Sequence, residues 1–553
     1  MSRNLGYLSD REGKGLERNL FEELVSRGKG LGSPERMELR KIARDFLMGD
    51  ANTFGTASFY DFLKESNTGI KAYVCNGTAC LTAGTQDHVS AELEKHFKKE
   101  EIGHMCCLGR CHENSAFHIG GVNYSGKTIS KLKDITEGKP VNGMDEYRVG
   151  SNVKTPVLIS DFPGVDEYYS LLRNVIRTDA AEILREIKEA NLRGRGGAGF
   201  PIGFKLESCR NVAGEKKFIV CNADEGDPGA YTDRYLLEKQ PHSVLFGMMV
   251  AAYVAGASNG VLYIRAEYPE SIAVVKSAIG ELEKRELLGK NIDGSGFNFQ
   301  FKVIEAAGAY ICGEETALLS SIEGQRPEVR IRPPYPTEKG LFNLPTVVNN
   351  VETLACLHFV LEHGGSAFAK LGRGKSTGTK LVSLDSYFNT PGVYEIEMGT
   401  PLRTVIDEFG GGFRSAVKAL QIGGPLGGVV PIAKIDELTL DFESFAGNKF
   451  LLGHGSILCI PEGFPMIKYL EHLFEFTSFE SCGKCFPCRL GAKRGQEMMA
   501  KAQEGEYKID RQLLIDLVET LEIGSLCALG GGIPIPIKNI MQYFEHELKA
   551  FYG

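Results

Sequence analysis

The sequence predicts a multidomain α/β protein with a cysteine-bearing module near each end. Three observations predict it. The chain has 553 residues, too many for one core, so three or four domains are expected. Strand-like and helix-like patterns alternate through much of its length. Its 14 cysteines include one group after Val74 and another after Ser481.

Composition narrows the class. Hydrophobic residues make up 42% and charged residues 24%, ordinary for a soluble globular protein. A net charge of −8 argues against a nucleic-acid or anionic-membrane partner. The 66 glycines fall in loops rather than low-complexity runs, which favours backbone approach to a ligand. Met1–Gly6 offers no apolar core for a signal peptide. The uncharged run Ser243–Ile264 is broken by Gly247, Gly256 and Gly260, and reads as a buried helix, a glycine turn and a strand. No direct membrane span and a cytoplasmic location are therefore expected, with thiolate–metal chemistry favoured over disulfides.

In chain order, residues 1–69 read as an N-terminal helical segment without evident chemistry. Residues 70–140 read as strand, helix, two strands turning at Gly120-Gly121, and helix: a small α/β domain. Its two loops carry Cys75-x4-Cys80 and Cys107-x3-Cys111, four thiolates that suit a 2Fe–2S cluster. Zinc would use the same ligands, and spacing does not remove Cys106 as a spare donor. Residues 141–166, rich in Gly, Pro and Asp, read as a linker.

A helix from Asp179 to Arg193 leads into Gly194-Arg195-Gly196-Gly197-Ala198-Gly199-Phe200. This matches G-x-G-x-x-G, but it follows a helix rather than a strand, so it fails the context of a standard dinucleotide fingerprint. A phosphorylated cofactor against bare backbone near Arg195 and Lys205, or a plain tight turn, would both fit. The strand Lys217–Val220 ends in Cys221-Asn222-Ala223-Asp224-Glu225-Gly226-Asp227, where open α/β sheets bind ligands. Gly313-Glu314-Glu315 opens a helix after the Phe299–Glu305 strand, and Asn349-Asn350 supplies paired amides suited to a flavin edge or to helix capping. Residues 380–460 read as a β-rich scaffold without a titratable cluster. The remainder reads as four helices (465–476, 486–502, 511–521, 537–549) around Cys482-x2-Cys485-x2-Cys488 and Cys527. That triplet plus a remote cysteine is the spacing of a 4Fe–4S cluster, whereas zinc sites usually come as two pairs.

GRGGAGF, CNADEGDPG, GAYICGEETAL, NNVETL, ESCGKCFPCRLG and SLCALG occur in that order. Together they resemble the NADH-oxidising flavoprotein subunit of respiratory complex I and the diaphorase subunits of NAD-linked hydrogenases and formate dehydrogenases. The resemblance covers about residues 165–553, and residues 1–140 resemble the thioredoxin-fold 2Fe–2S subunit of the same complexes. It implies a thioredoxin-like domain (70–140), a Rossmann-like FMN/NADH-binding domain (167–375), a β-grasp-like module (376–460) and a helical 4Fe–4S domain (461–553). It implies FMN held by Gly194, Arg195, Gly196, Lys205, Asn222, Asp224, Tyr310, Gly313, Glu314, Asn349 and Asn350. NADH would meet Phe200, Asp227, Glu315, Arg332 and Tyr335. Asp227, Arg332 and Tyr335 depart from the family's usual glutamate, lysine and phenylalanine, which bears on nucleotide affinity and choice.

The layout has a chemical reason. NADH gives two electrons together, clusters take one at a time, and a flavin converts between them. No general acid or base is expected, and other iron–sulfur and catalytic subunits are expected as partners. The flavin subunit of an electron-bifurcating complex, and an iron–sulfur relay without flavin, are the rival readings.

Overall fold

The structure is a computed structural model that describes residues 16, 19–28, 34–139, 141, 145–214 and 216–553. The helical expectation for residues 1–15, 17–18 and 29–33 lies outside the described residues.

Strands β1 (Ala72–Cys75), β2 (Ile102–Met105), β3 (Phe117–Ile119) and β4 (Val122–Tyr124) form one sheet in the order β2-β1-β3-β4. β1 and β2 are parallel, and the other pairs are antiparallel. The β3–β4 turn has positive φ at both Gly120 and Gly121, the backbone a two-residue hairpin needs. Cys75 ends β1, Cys80 lies in the helix Thr78–Ala83, and Cys106-Cys107 follow β2. Both cysteine loops thus leave the same end of the parallel pair.

The stretch expected as a linker is partly structured. Its β5 (Arg148–Ser151) pairs in parallel with β13 (Gly392–Glu397) at the rim of a distant sheet. Its side chains are exposed or half-buried, so no hydrophobic alternation announced it; backbone pairing at an edge made it a strand. Just beyond, the N–H groups of Val157, Leu158 and Ile159 donate to the buried Glu395 carboxylate at 2.8, 3.0 and 3.2 Å.

Strands β6 (Phe218–Ala223), β7 (Asn259–Ile264), β8 (Gln300–Glu305) and β9 (Thr346–Asn350) form an all-parallel sheet ordered β8-β7-β6-β9. The chain builds outward from β6 to β8, then returns to β6's other side. The strand order therefore reverses between β6 and β9, and that crevice is the topological switch point. Parallel sheets need cover on both faces. One cover is the helix Pro241–Ala255, whose Gly247 leaves no room for a side chain: an added Cβ would lie 2.0 Å from the Leu354 carbonyl oxygen. The other is the N-terminal segment. Phe21, Leu24 and Tyr60 share a core with Val220, Val261, Tyr263 and Ile304. Ser321 Oγ lies 2.7 Å from the hydroxyls of both Tyr60 and Tyr263.

After the hairpin β10–β11 (Gly372–Arg373, Ser376–Thr377), strands β12 (Thr379–Leu384), β13, β14 (Val417–Ile422), β15 (Gly428–Pro431) and β16 (Ser456–Pro461) join β5. The mixed sheet is ordered β15-β14-β16-β12-β13-β5. The longer C-terminal helices are Met466–Glu480, Ala492–Gln503, Arg511–Gly524 and Pro534–Tyr543. The first runs four residues further than its pattern suggested. Its Phe474 fills the space over Gly495, where a Cβ would come within 2.3 Å of the ring.

Candidate redox site

The switch point collects the polar residues that the sequence scattered. Cys221 and Asn222 on β6 stand in register with Asn349 and Asn350 on β9. Asn222 donates to the Gly313 carbonyl at 2.7 Å, and its own amide oxygen accepts from the Asp224 N–H at 3.2 Å. Asp224 is buried, its Oδ2 has no protein partner, and desolvation holds its carboxyl well above the usual carboxylate range.

The loop Gly194–Phe200 closes on itself through the Gly194 N–H and Phe200 carbonyl, 2.8 Å apart. It lies against Asn350: a Cβ on Gly196 would sit 2.9 Å from that residue's Cβ. Arg195 is buried. Its backbone N–H donates to Thr353 Oγ1 at 2.8 Å and its Nη2 to the Thr377 carbonyl at 2.6 Å, while Nε and Nη1 have no protein partner. Asn349 Nδ2 is buried and equally unpartnered. A Cβ on Gly313 would lie 3.3 Å from the Asp224 carbonyl oxygen.

The two asparagines divide their work. Asn350 caps the helix Val351–Ala355, accepting from the N–H groups of Glu352 at 2.9 Å and Thr353 at 3.3 Å, and donates to Asp233 at 2.6 Å. Glu314 likewise caps the helix Glu315–Ile322 through the N–H groups of Thr316 and Ala317, each at 2.9 Å. Glu315 lies between Lys205 at 3.2 Å and Arg332 at 2.7 Å, and Lys205 also donates to the Val348 carbonyl at 3.0 Å. At the mouth, Phe200 is 44% exposed and Tyr335 54% exposed. Phe204, in the first turn of the helix Ile202–Asn211, is 59% exposed, its ring 5.5 Å from that of Phe200. Sequence reasoning passed over Phe204; its i, i+4 spacing from Phe200 was the available signal.

The β-rich segment is more than a neutral scaffold. It brings His454 to within 3.0 Å of Asp227, whose other oxygen accepts from the Tyr310 hydroxyl at 2.6 Å. It also contributes Lys380, paired with Glu352 in the interior, and Asp385, which burial pushes up to about 7. A strand pattern hides His454 and Lys380 because each stands alone in sequence and gains its partner only across domains.

Cys75, Cys80, Cys107 and Cys111 are buried free thiols. The sulfurs of Cys107 and Cys111 are 3.4 Å apart, and a Cβ on Gly77 would lie 3.5 Å from those of both Cys75 and Cys107. Two thiolates on one tetrahedral metal with 2.3 Å bonds stand about 3.8 Å apart, so the Cys107–Cys111 pair lies near that spacing. At the other end, Cys482 and Cys488 are buried, Cys485 and Cys527 half-buried. Burial pushes the Cys488 thiol up to about 11 and that of Cys527 to about 12. These thiols become good ligands only when a cation replaces the proton.

Profiles of three families match the chain: the thioredoxin-like [2Fe-2S] ferredoxin over residues 32–139, the Nuo51 FMN-binding domain over 187–358, and the NADH-ubiquinone oxidoreductase-F iron-sulfur binding region over 468–551. The NADP-reducing hydrogenase subunit HndC of Solidesulfovibrio fructosivorans is 40% identical over 70% of this chain and 81% of its own length. The chain belongs to the Nuo51 FMN-binding family. A second relative, the mitochondrial NADH-ubiquinone oxidoreductase 51 kDa subunit of Neurospora crassa, is 36% identical over 66% of this chain and 76% of its own. A solved NAD+-reducing [NiFe]-hydrogenase in the air-oxidised state superposes with a TM-score of 0.84 at 27% identity, over 97% of this chain and 93% of that one. As a Nuo51-family protein, it is an NADH dehydrogenase-type oxidoreductase with FMN, 4Fe–4S and 2Fe–2S domains. No helix among its described residues is long and apolar enough to cross a membrane.

Proposed function

We propose that this chain is the diaphorase subunit of a multisubunit redox complex, exchanging electrons with NAD(H) at the switch point and with partner subunits through its iron–sulfur domains. The observation that carries this reading is a set of buried polar atoms without a protein partner on the loop and strands that frame the switch point: Arg195 Nε and Nη1, Asp224 Oδ2 and Asn349 Nδ2. Each such atom left unsatisfied costs about 1–3 kcal/mol, so the crevice is built for a ligand that satisfies them. FMN, when bound, accepts the two electrons of a hydride and releases them singly to the clusters.

The chain's own residues hold and orient. Gly194, Arg195, Gly196 and Lys205 suit a phosphate lying against bare backbone, and Asn222, Asp224, Gly313 and Asn349 suit the polar edge of a flavin ring. Asn350 and Glu314 keep that frame in place as helix caps, with their side chains already engaged. The exposed rings of Phe200 and Tyr335 provide stacking surface for the nucleotide. Glu315, with Lys205 on one side and Arg332 on the other, is the polar contact beside them. Cys482, Cys485, Cys488 and Cys527 would bind the 4Fe–4S cluster, and Cys75, Cys80, Cys107 and Cys111 the 2Fe–2S cluster.

An anaerobic titration of the reconstituted chain with NADH, and separately with NADPH, tests the reading by visible absorbance. Flavin bleaching by NADH is expected, with the clusters taking a share of the electrons. A chain that holds iron and sulfide but bleaches with neither nucleotide would refute it.

A further inference from the structure

Asp227 stands at the centre of a hydrogen-bonded chain that links three parts of the molecule. On one side is His454, from the loop before β16, 3.0 Å away. On the other is the Tyr310 hydroxyl, 2.6 Å away. The Tyr310 backbone N–H in turn donates to Glu480 at 2.9 Å, and its ring meets that of Phe476 edge-on at 4.8 Å. Phe476 and Glu480 belong to the last turns of the helix Met466–Glu480, and Cys482 follows two residues later.

The tautomer of His454 is set locally. The Ser456 N–H points at Nδ1 from 3.3 Å, which leaves Nε2 to face Asp227 as the donor. The space is set by glycines. A Cβ on Gly424 would come within 2.6 Å of the Asp227 carboxylate, and one on Gly226 within 2.7 Å of the Tyr310 ring. Gly423 and Gly453 touch backbone to backbone: a Cβ on Gly453 would lie 2.3 Å from the Gly423 carbonyl oxygen. The flavin-site loop rests on the same turn, since a Cβ on Gly197 would lie 3.7 Å from Gly453. Both carboxylate oxygens of Asp227 are therefore engaged by the protein, which makes this residue part of the frame.

We infer that His454 is a positioning residue for electron transfer between the flavin site and the C-terminal cluster: through Asp227 it fixes Tyr310, which holds the end of the Met466–Glu480 helix and the start of the Cys482 loop against the switch point. This rests on the proposed flavin and cluster sites. A carboxylate anchored on one side only would let Tyr310 and that helix end shift together. The chemistry at the nucleotide, which lies at the mouth by Phe200 and Glu315, would be untouched.

The test compares wild type with His454→Ala and His454→Gln in the full reconstituted chain, since glutamine can still offer an N–H to Asp227. Mixing with NADH is followed at the flavin band and, after freeze-quenching, by the paramagnetic signal of the reduced cluster. His454→Ala should keep its flavin content and bleach at about the wild-type rate, while cluster reduction lags by about tenfold or more, the scale on which small misplacements act. His454→Gln should recover most of that lag. Cluster reduction that keeps pace with bleaching in His454→Ala, or no recovery with glutamine, would overturn the inference. Should wild type itself fail to bleach, the functional reading falls and the positioning role is judged by crystal structures of the same variants without cofactors. There, a Tyr310 hydroxyl displaced in His454→Ala but not in His454→Gln supports it, and Asp227 and Tyr310 unmoved in His454→Ala refute it.

Discussion

Replacing Cys482 with alanine should leave NADH-dependent flavin bleaching intact and cut electron delivery to the partner complex by more than about a hundredfold, since even changes one shell out from a metal cost ten- to a hundredfold. The asymmetry follows from the architecture. The proposed flavin crevice lies between β6 and β9, whereas Cys482 sits in the loop after the helix Met466–Glu480. Three remaining thiolates cannot complete the ligand set of a four-iron cube. Stopped-flow absorbance reads the first half of the reaction and transfer to the partner complex the second. Retained transfer would show that electrons leave by another route.

The largest effect on stability should come from Lys380→Met. Lys380 and Glu352 are 0% and 1% exposed and paired with each other, and Glu352 also accepts from the Leu381 N–H at 2.9 Å. Removing the cation strands a carboxylate in the interior, at a cost of about 3–5 kcal/mol. The helix Val351–Ala355 carries Glu352 and begins at Asn350, so FMN content should fall together with the melting temperature. Glu352→Gln added to Lys380→Met removes the stranded charge and should restore most of the loss. If the single variant melts like wild type, the pair contributes nothing net.

The family was legible because its motifs are short and dense in chemistry. Cysteines three apart, glycines in a loop and acids at a strand end announce themselves within a dozen residues, and the matching families are the ones they suggested. What stayed hidden is paired across long sequence separations. His454 and Asp227 are far apart in the chain, as are Lys380 and Glu352, and neither member of either pair looks unusual alone. The N-terminal helices gave no sign that they would cover a face of the flavin sheet, because an amphipathic helix shows that it has a partner and not which one. Several motif residues also carry framework contacts that their motifs do not announce. Asn350 and Glu314 are caps, and Asp227 is an anchor.

The strand Arg148–Ser151 has a consequence for anyone who would divide this protein. It follows the two-iron module in sequence, yet it completes the margin of the sheet that begins at Thr379. The natural place to cut the polypeptide is thus before Asp145, not anywhere within the glycine- and proline-rich stretch. Co-expressed with residues 1–144, whose Phe21, Leu24 and Tyr60 cover the parallel sheet, a C-terminal piece that starts at Asp145 takes its own border with it, and the pair should remain monodisperse in gel filtration. One that starts at Asn152 leaves Gly392–Glu397 bare, a template for unwanted neighbours, and should aggregate.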